Sequence, residues 1–341
     1  MATTDSTTIQ LTSKDFKSDQ YVRWCPGCGD YAVLNTLQKV MSEVGVPPHE
    51  TAIISGIGCS SRLSYYMSSY GFHTIHGRGA AVATGVKIAN PKLSVWQITG
   101  DGDCLAIGGN HFIHSVRRNI DINVLLFNNQ IYGLTKGQYS PTTKKGFVTK
   151  SSPYGTIERP FRPAELTFGA RGTFFARLLD VDLKNSQASM LAAAHHKGTS
   201  VVECLVNCII FNDGAHGWMA EKETRPDRTI FLEHGKPMIY GKERNKGLVL
   251  DGFNLKVVTI GENSITENDL LIHDATTEDT TIQLKLALME GPAMPIALGV
   301  LRDVVEETYN DALDKQIKEV QAKSKIKTFD DLIATCEQWE M

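Results

Sequence analysis

Two polar loops, each placed directly after an apolar strand pattern, constrain the fold of this chain more than any other feature. The buried-strand pattern at residues 93–99 leads into Gly100-Asp101-Gly102-Asp103, and the apolar run at residues 122–127 leads into Asn128-Asn129-Gln130-Ile131-Tyr132-Gly133. The pattern between the loops predicts a helix at residues 107–118. Two parallel strands joined by a helix form a right-handed crossover, so both loops are expected at one edge of a parallel sheet. Open α/β sheets bind their ligands at that edge.

The residue types in these two loops favour a site for a divalent metal and a diphosphate. An Asp carboxylate, an Asn side-chain carbonyl and a backbone carbonyl are oxygen ligands that Mg²⁺ accepts, and phosphate oxygens complete its octahedron. The glycines allow the backbone to approach a phosphate, and the start of the following helix offers free N–H groups. A lone Gly-Asp-Gly is more often an ordinary turn, but the Asn-Asn loop at the matching spacing favours the metal–diphosphate site.

The cysteines point to metal or redox chemistry. There are seven, and Cys25 and Cys28 form a Cys-x-x-Cys pair before a predicted amphipathic helix at residues 31–44. Cys59 lies in a tight loop of small residues after a predicted strand at residues 51–55. The N-terminus is polar, and neither a signal peptide nor a long apolar span is visible. We therefore expect a cytoplasmic protein, in which structural disulfides are rare.

Three interpretations of the Cys-x-x-Cys pair compete: half of a zinc site, a thioredoxin-like redox pair, and part of a [4Fe–4S] cluster. The redox pair normally opens a helix after a strand, which this context does not match well. Zinc and the cluster both require four thiolates, and the number of cysteines does not separate them. Cys59 favours the cluster, because an electron acceptor has a reason to lie beside a cofactor at the sheet edge and an inert zinc ion has little.

Five motifs in a fixed order give the chain a resemblance to a known family. The interval from Gly-Asp-Gly to Asn-Asn is similar to the thiamine diphosphate (ThDP) fingerprint. With the cysteine motifs, the chain resembles the β subunits of 2-oxoacid:ferredoxin oxidoreductases, most of all the 2-oxoglutarate (KorB-type) branch, over about residues 20–220. The motifs are Trp24-Cys-Pro-Gly-Cys-Gly29, Gly56-Ile-Gly-Cys-Ser-Ser61, His76-Gly-Arg-Gly79, Gly100-Asp-Gly-Asp103 and Tyr132-Gly-Leu-Thr-Lys-Gly-Gln138.

The resemblance implies a doubly wound, mostly parallel α/β sheet of the ThDP-binding (PP-domain) type with a C-terminal extension. We expect an N-terminal segment (1–20), a domain that binds ThDP, Mg²⁺ and a [4Fe–4S] cluster (21–220), and a C-terminal extension (221–341). After residue 211 the sequence becomes more charged and less regular. It keeps a strand pattern at residues 248–260 and helical patterns at residues 280–290 and 304–320. The sequence leaves open whether the extension packs on the core or on a partner.

The resemblance also assigns residues to cofactors. The implied Mg²⁺ ligands are Asp101, Asn129 and the backbone carbonyl of Ile131. The implied ligands of one [4Fe–4S] cluster are Cys25, Cys28, Cys59 and Cys208. The implied ThDP contacts are Ile57, Gly58, Cys59, Ser60, His76, Gly102, Asp103, Gly133 and Leu134. The remaining cysteines, Cys104, Cys204 and Cys336, are interpreted as structural; Cys204, on a predicted strand at residues 200–206, is the nearest rival of Cys208.

Three polar side chains are candidates for contact with the substrate. His76 would hydrogen-bond the cofactor or a substrate carboxylate; the alternative is a histidine that only fixes its loop. The second carboxylate of 2-oxoglutarate requires additional positive charge, which Arg62 or Lys136 would supply. Either cation would otherwise be an ordinary surface residue.

The implied function is CoA-dependent oxidative decarboxylation of 2-oxoglutarate to succinyl-CoA and CO₂, or the reverse, with electrons passed through the cluster to ferredoxin. No pyrimidine-binding domain is visible, so we expect a separate α subunit that carries it and an (αβ)₂ assembly. Another substrate, such as pyruvate, is an alternative. So are a non-redox ThDP decarboxylase subunit and a zinc-bearing scaffold without ThDP. The net charge of −3 gives no reason to expect nucleic-acid or membrane binding.

Overall fold

The computed structural model describes residues 10–337 and residue 339, and an eight-stranded sheet forms its centre. The first nine residues of the predicted N-terminal segment therefore lie outside the described residues. The strands are β1 (Thr51–Ser55), β2 (Tyr70–His73), β3 (Ser94–Gly100), β4 (Asn123–Asn128), β5 (Phe174–Leu179), β6 (Ser200–Leu205), β7 (Thr229–Leu232), β8 (Ile239–Tyr240), β9 (Lys246–Asp251), β10 (Asn254–Thr259) and β11 (Ile296–Asp303).

The main sheet has the order β2-β1-β3-β4-β6-β5-β11-β7 and is parallel at every pairing except β5 with β11. The remaining strands form a small antiparallel sheet in the order β10-β9-β8. Parallel strands end at the same edge of a sheet, so the loops that follow β1, β3, β4 and β6 share one edge. The predicted mostly parallel α/β fold is confirmed.

Helices cover both faces of the main sheet, as a parallel sheet requires. The helices are α1 (Asp30–Val44), α2 (Gly79–Ala89), α3 (Gly109–Arg117), α4 (Pro163–Gly169), α5 (Leu183–His195), α6 (Gly217–Ala220), α7 (Arg225–Arg228), α8 (Thr281–Ala287), α9 (Tyr309–Lys323) and α10 (Phe329–Ala334). One core contains α1 and α5, and the other contains α2, α3, α4 and α8. Short 3₁₀ turns lie at Pro48–Glu50, Ser60–Tyr66 and Glu267–Asp269.

The helix predicted at residues 107–118 is interrupted at its start. A π-helical turn, Asp103–Ile107, precedes α3, and the N–H of Gly108 donates to the carbonyl of Asp103 at 3.1 Å. Such turns frequently mark functional sites. The helix predicted at residues 304–320 begins later, because the Thr308 side chain caps α9 by accepting the N–H of Asp311.

Residues 221–341 contribute to the body of the molecule. They supply β7 and β11 to the main sheet, and Ile230, Leu248 and Leu301 are buried in the core. The last helices, α9 and α10, have mostly exposed side chains. The division of the chain at residue 220 stays a prediction.

Candidate functional site

Asp101, the first residue after β3, is a buried carboxylate held by two hydroxyl groups. Ser140 Oγ donates to Asp101 Oδ2 at 2.5 Å, and Thr142 Oγ1 donates to the same oxygen. Burial raises the pKa of Asp101 to about 6, although both hydroxyls act in the opposite direction. A bound divalent cation would favour the charged form of this carboxylate.

The loop after β4 is fixed by polar groups from two other segments. The Ile131 N–H donates to Asn129 Oδ1 at 3.1 Å, which orients the side-chain carbonyl that was predicted to bind Mg²⁺. Asn212 Nδ2 donates to the Asn129 carbonyl at 3.0 Å, and Thr143 Oγ1 donates to the Gln130 carbonyl at 2.7 Å. These contacts hold a loop whose Gln130 has a φ of 56°, a conformation that side chains disfavour.

Asp103 joins the loops after β1 and β2 to the loop after β3. Its Oδ1 accepts from His76 Nδ1 at 2.6 Å, from the Gly77 N–H at 2.7 Å and from the Ile57 N–H at 3.1 Å. Its Oδ2 accepts from Thr99 Oγ1 at 2.7 Å. Since both oxygens are engaged by the protein, Asp103 positions the loops that carry Ile57 and His76.

The contact with Asp103 determines how His76 can act. In neutral His76, a proton on Nδ1 leaves Nε2 as the nitrogen that accepts a hydrogen bond. The side chain is 39% exposed, so a ligand at the sheet edge can reach it. The ring of Tyr132 lies edge-on to it, with centroids 6.4 Å apart.

Gly102 is required by packing. A Cβ atom at this position would lie 2.2 Å from the Tyr132 ring, whose hydroxyl donates to the Gly102 carbonyl at 3.1 Å. Its φ of −67° is one that any residue adopts, so the close approach of Tyr132 is what excludes a side chain.

The four cysteines predicted to bind a cluster lie on three loops that are tied together. Trp24 Nε1 donates to the Cys59 carbonyl at 2.7 Å, and the Gly29 N–H donates to the Asn207 carbonyl at 3.1 Å. These two bonds join the Cys25–Cys28 loop to the loop of Cys59 and to that of Cys208. All seven cysteines of the chain are free thiols, and Cys25 is exposed.

The sulfur atoms of Cys59 and Cys208 both lie beside Gly133. They are 3.4 and 3.6 Å from the point that a Cβ atom on Gly133 would occupy. The loop that begins with Asn129 therefore reaches the cysteines at its other end. A Cβ atom at residue 133 would therefore be in van der Waals contact with both sulfurs.

Burial and negative charge raise the thiol pKa of Cys28 and Cys59, which disfavours thiolates at these two residues. Burial raises the pKa of Cys59 to about 12, and the charge of Asp30 and the thiols of Cys208 and Cys25 act in the same direction. The pKa of Cys28 is also raised, by burial and then by Asp30, Cys208 and Cys59. Within the described part of the chain, no three His, Cys, Asp or Glu side chains are arranged as ligands of a single metal ion.

The other cysteines differ in their surroundings. Cys204 is fully buried on β6, and Cys104 is buried in the π-helical turn; burial raises the pKa of both thiols. Cys336 is exposed near the end of the chain. Cys204 belongs to the core that contains α1, which agrees with its interpretation as a structural residue.

The two predicted substrate cations occupy different positions. The N–H of Arg62, which is partly buried, donates to the Cys59 carbonyl at 3.2 Å. The Arg62 charge also lowers the pKa of His73, after the larger effect of burial. Lys136 and Leu134 are exposed, and Lys136 has a φ of 75° in the turn after Gly133.

Sequence reasoning missed the hydroxyl groups that hold Asp101. Ser140 and Thr142 lie about forty residues after it and follow no periodic or glycine-rich pattern. Their position directly after the Tyr132–Gln138 motif was the one available signal. No described helix is long and apolar enough to span a bilayer.

Comparisons with known proteins agree on one group of enzymes. The family model described as thiamine pyrophosphate enzyme, C-terminal TPP binding domain, matches residues 56–204. The 2-oxoglutarate oxidoreductase subunit KorB of Mycobacterium tuberculosis is 47% identical over 305 residues, which are 89% of this chain and 81% of the relative. The 2-oxoglutarate synthase subunit KorB of Archaeoglobus fulgidus is 44% identical over 185 residues, 54% of this chain and 69% of the relative.

A solved structure is similar over almost the whole chain. It is a 2-oxoglutarate:ferredoxin oxidoreductase from Magnetococcus marinus with 2-oxoglutarate, coenzyme A and succinyl-CoA bound. The TM-score is 0.77 at 30% sequence identity, and the match covers 98% of each chain. The similarity extends beyond residues 56–204 and includes the cysteine loops at both ends of that range.

Proposed function

This chain belongs to the family of β subunits of 2-oxoacid:ferredoxin oxidoreductases, and from that premise we propose that it acts on 2-oxoglutarate. With a separate α subunit it would convert 2-oxoglutarate and CoA to succinyl-CoA and CO₂, or run the reverse reaction. The observation that carries the proposal is the position of Gly133, at one end of the Asn129 loop and beside the sulfurs of both Cys59 and Cys208. One loop would thus serve both the proposed cofactor site and the proposed redox site.

ThDP and Mg²⁺ are the proposed cofactors at the carboxyl ends of β3 and β4. When bound, ThDP supplies the electron sink for cleavage of the bond between the carboxylate and the keto carbon. Asp101, Asn129 and the Ile131 carbonyl would hold Mg²⁺, a donor set of oxygens that suits this ion. The proposed ThDP contacts are Ile57, Gly58, Cys59, Ser60, His76, Gly102, Asp103, Gly133 and Leu134.

A [4Fe–4S] cluster is the proposed electron acceptor. Cys25, Cys28, Cys59 and Cys208 would bind it, and it would pass electrons from the cofactor to ferredoxin. Four thiols on three joined loops suit a cluster, which distributes its thiolates over several iron atoms. The cations of the cluster would also stabilise thiolates that burial and Asp30 disfavour.

Three side chains are proposed to act on the substrate. Asp103 holds His76 so that Nε2 is free to hydrogen-bond the cofactor or a substrate carboxylate. Arg62, next to the Cys59 loop, and Lys136, in the turn after Gly133, would pair with the two carboxylates of 2-oxoglutarate. A charge-assisted hydrogen bond of this kind is about twice as strong as a neutral one.

The proposed assembly is an (αβ)₂ complex in the cytoplasm. The α subunit would supply the pyrimidine-binding domain and complete the active site. Ferredoxin would be the electron-transfer partner, and the chain has no proposed contact with nucleic acid or membrane.

The test is to purify the chain with its α subunit under anaerobic conditions. We expect 2-oxoglutarate to reduce ferredoxin only when CoA is present, and we expect about four iron atoms for each β subunit. A panel with pyruvate and branched-chain 2-oxoacids should show the highest kcat/KM for 2-oxoglutarate. A complex that releases CO₂ but contains no iron would identify a non-redox decarboxylase. Failure to bind ThDP would favour a zinc-bearing scaffold.

A further inference from the structure

Asp101 has two carboxylate oxygens in different surroundings. Oδ2 accepts hydrogen bonds from Ser140 and Thr142, while no described side chain donates to Oδ1. Asp101 and Ser140 are 2% exposed and Thr142 is 3% exposed, so bulk water does not compete for these contacts. An oxygen that accepts two hydroxyl hydrogens has its lone pairs engaged, which leaves Oδ1 for a metal ion.

The two residues that carry these hydroxyls have further polar neighbours. The Ser140 N–H donates to Thr143 Oγ1 at 2.7 Å, and Thr142 Oγ1 lies 2.9 Å from Asn128 Oδ1. Asn128 is held in turn, because its Nδ2 donates to Glu203 at 2.8 Å. Thr142 has one hydroxyl hydrogen and serves one acceptor at a time. The negatively charged Asp101 is the stronger of its two acceptors.

We propose that Ser140 and Thr142 are specificity-determining residues that restrict Asp101 to binding through one oxygen and thereby select Mg²⁺ over Ca²⁺. This inference rests on the proposed function, in which Asp101 is a metal ligand. Mg²⁺ requires a near-ideal octahedron of six oxygens, whereas Ca²⁺ takes six to eight and accepts carboxylates through both oxygens. When the hydroxyls engage Oδ2, Asp101 can no longer bind a metal through both oxygens. Only Ca²⁺, the larger ion, would gain from that two-oxygen mode.

The test uses the complete αβ enzyme and measures ThDP binding by calorimetry at increasing Mg²⁺ or Ca²⁺. Thr142→Val keeps the shape of the side chain and removes the hydroxyl, and Ser140→Ala removes the other donor. We expect each change to weaken the apparent Mg²⁺ affinity about 10-fold, the lower end of the effect of residues that orient metal ligands. The Ca²⁺ affinity should hold or rise, so the Mg²⁺-to-Ca²⁺ affinity ratio falls.

Thr156→Val is the matched control. Thr156 is a buried hydroxyl of the same long loop, and it donates to the Lys144 carbonyl at 2.8 Å without touching Asp101. It should keep the wild-type affinity ratio, as should Thr142→Ser, which retains the hydroxyl. A wild-type ratio in the Ser140→Ala/Thr142→Val double variant would overturn the inference. The inference would also be overturned if Thr156→Val changed the Mg²⁺-to-Ca²⁺ affinity ratio as much as the two test variants do.

The outcome also separates this inference from the proposed function. If the wild-type enzyme binds ThDP with Mg²⁺ and the variants keep its affinity ratio, only the role of the hydroxyls is wrong. If the wild-type enzyme binds ThDP with neither ion, both the proposed function and this inference are overturned. Because the ratio compares two ions on one protein, a general loss of stability does not mimic the expected result.

Discussion

The carboxylate side and the cysteine side of one sheet edge are held by different kinds of contact. On the carboxylate side, formed by Asp101, Asp103 and the loops they contact, side-chain oxygens accept hydrogen bonds from hydroxyl, imidazole and backbone donors. On the cysteine side, formed by Cys25, Cys28, Cys59 and Cys208, backbone groups and the Trp24 indole join the loops. The first arrangement orients the groups that would bind the ligand, whereas the second orients mainly the main chain that carries them.

This difference in contacts indicates that the cysteine side depends more on a bound ligand than the carboxylate side does. Asp101 already has its hydrogen-bond partners, so the proposed metal site would be organised by the protein before a cofactor enters. At Cys28 and Cys59, burial and the charge of Asp30 raise the thiol pKa, and the protein offers little to stabilise a thiolate there. A cluster would supply that stabilisation, since metal binding and thiol deprotonation are coupled. We therefore expect cluster loss to loosen the cysteine side and to leave the carboxylate side intact.

The largest expected effect follows from replacing a cysteine. Cys25→Ser, at an exposed ligand that is not among the proposed ThDP contacts, should abolish the cluster, because four thiolates hold it, and ferredoxin reduction should fall to background. ThDP binding in the presence of Mg²⁺ should stay within about 3-fold of wild type, because Asp101 keeps its hydroxyl donors and surface changes elsewhere are nearly neutral. Iron analysis and calorimetry measure the two sides separately.

Cys204→Ala is the control for that experiment. Cys204 lies four residues before Cys208 but is buried on β6 in the core with α1. The variant should retain its iron while losing some stability from the small cavity. If Cys204→Ala lost the cluster and Cys208→Ala kept it, the assignment of the fourth ligand would be wrong.

The next largest effect concerns a buried ion pair behind the carboxylate side. Arg177 Nε donates to Glu203 at 2.7 Å, and Glu203 also accepts from Asn128, which lies against Thr142. Glu203→Ala leaves the Arg177 charge buried and unpaired, so we expect unfolding to become easier by about 3–5 kcal/mol. Chemical denaturation with guanidinium measures the loss.

Replacing both partners tests whether the effect is electrostatic. Arg177→Met with Glu203→Leu removes the unpaired charge and fills similar space, so it should recover most of the lost stability. Iron content should match wild type in both variants, since neither side chain of the pair hydrogen-bonds any of the four proposed cluster ligands. A double variant as unstable as Glu203→Ala would show that packing, not charge, dominates here.

The sequence was sufficient to predict the features that depend on local patterns. Strand β1 has the predicted bounds, and α1 begins one residue earlier than predicted. Apolar runs that end at Gly, Asp or Asn also predicted that the loops after β3 and β4 share an edge. These predictions succeed because apolar residues recur at the period of the helix or strand that they form, and so identify the face that is buried.

Features that depend on long-range contacts were not predictable in the same way. Strand β11 pairs antiparallel with β5 through residues more than 100 positions apart, and nothing in its own sequence reveals that neighbour. Ser140 and Thr142 likewise acquire their role only when the chain returns to Asp101. The dual contact of Asp103 with Thr99 and with His76 also needed the folded structure, because it joins three loops.

A smaller effect is expected at the metal ligand itself. Asp101→Ala removes the carboxylate that accepts hydrogen bonds from the Ser140 and Thr142 hydroxyls. The apparent affinity for ThDP with Mg²⁺ should fall at least about 100-fold, the upper end of what residues around a metal site contribute. Calorimetric titration measures this loss, and the visible absorbance of the cluster should be unchanged. Loss of the cluster in this variant would mean that the two sides do not behave independently.

The smallest effect tests whether packing around Gly102 maintains the carboxylate side. Gly102→Ala would place a Cβ atom 2.2 Å from the Tyr132 ring, which the hydrogen bond to the Gly102 carbonyl restrains. We expect a loss of about 1–3 kcal/mol in the free energy of unfolding from overpacking, and weaker ThDP binding. Gly85→Ala, in α2 with no atom within 4 Å of the new Cβ, should instead stabilise the fold by about 0.5–1 kcal/mol. If the free energy of unfolding falls in Gly102→Ala and rises in Gly85→Ala, at unchanged iron content, the loss comes from the Tyr132 contact. If it falls in both variants, the loss comes from replacing a glycine.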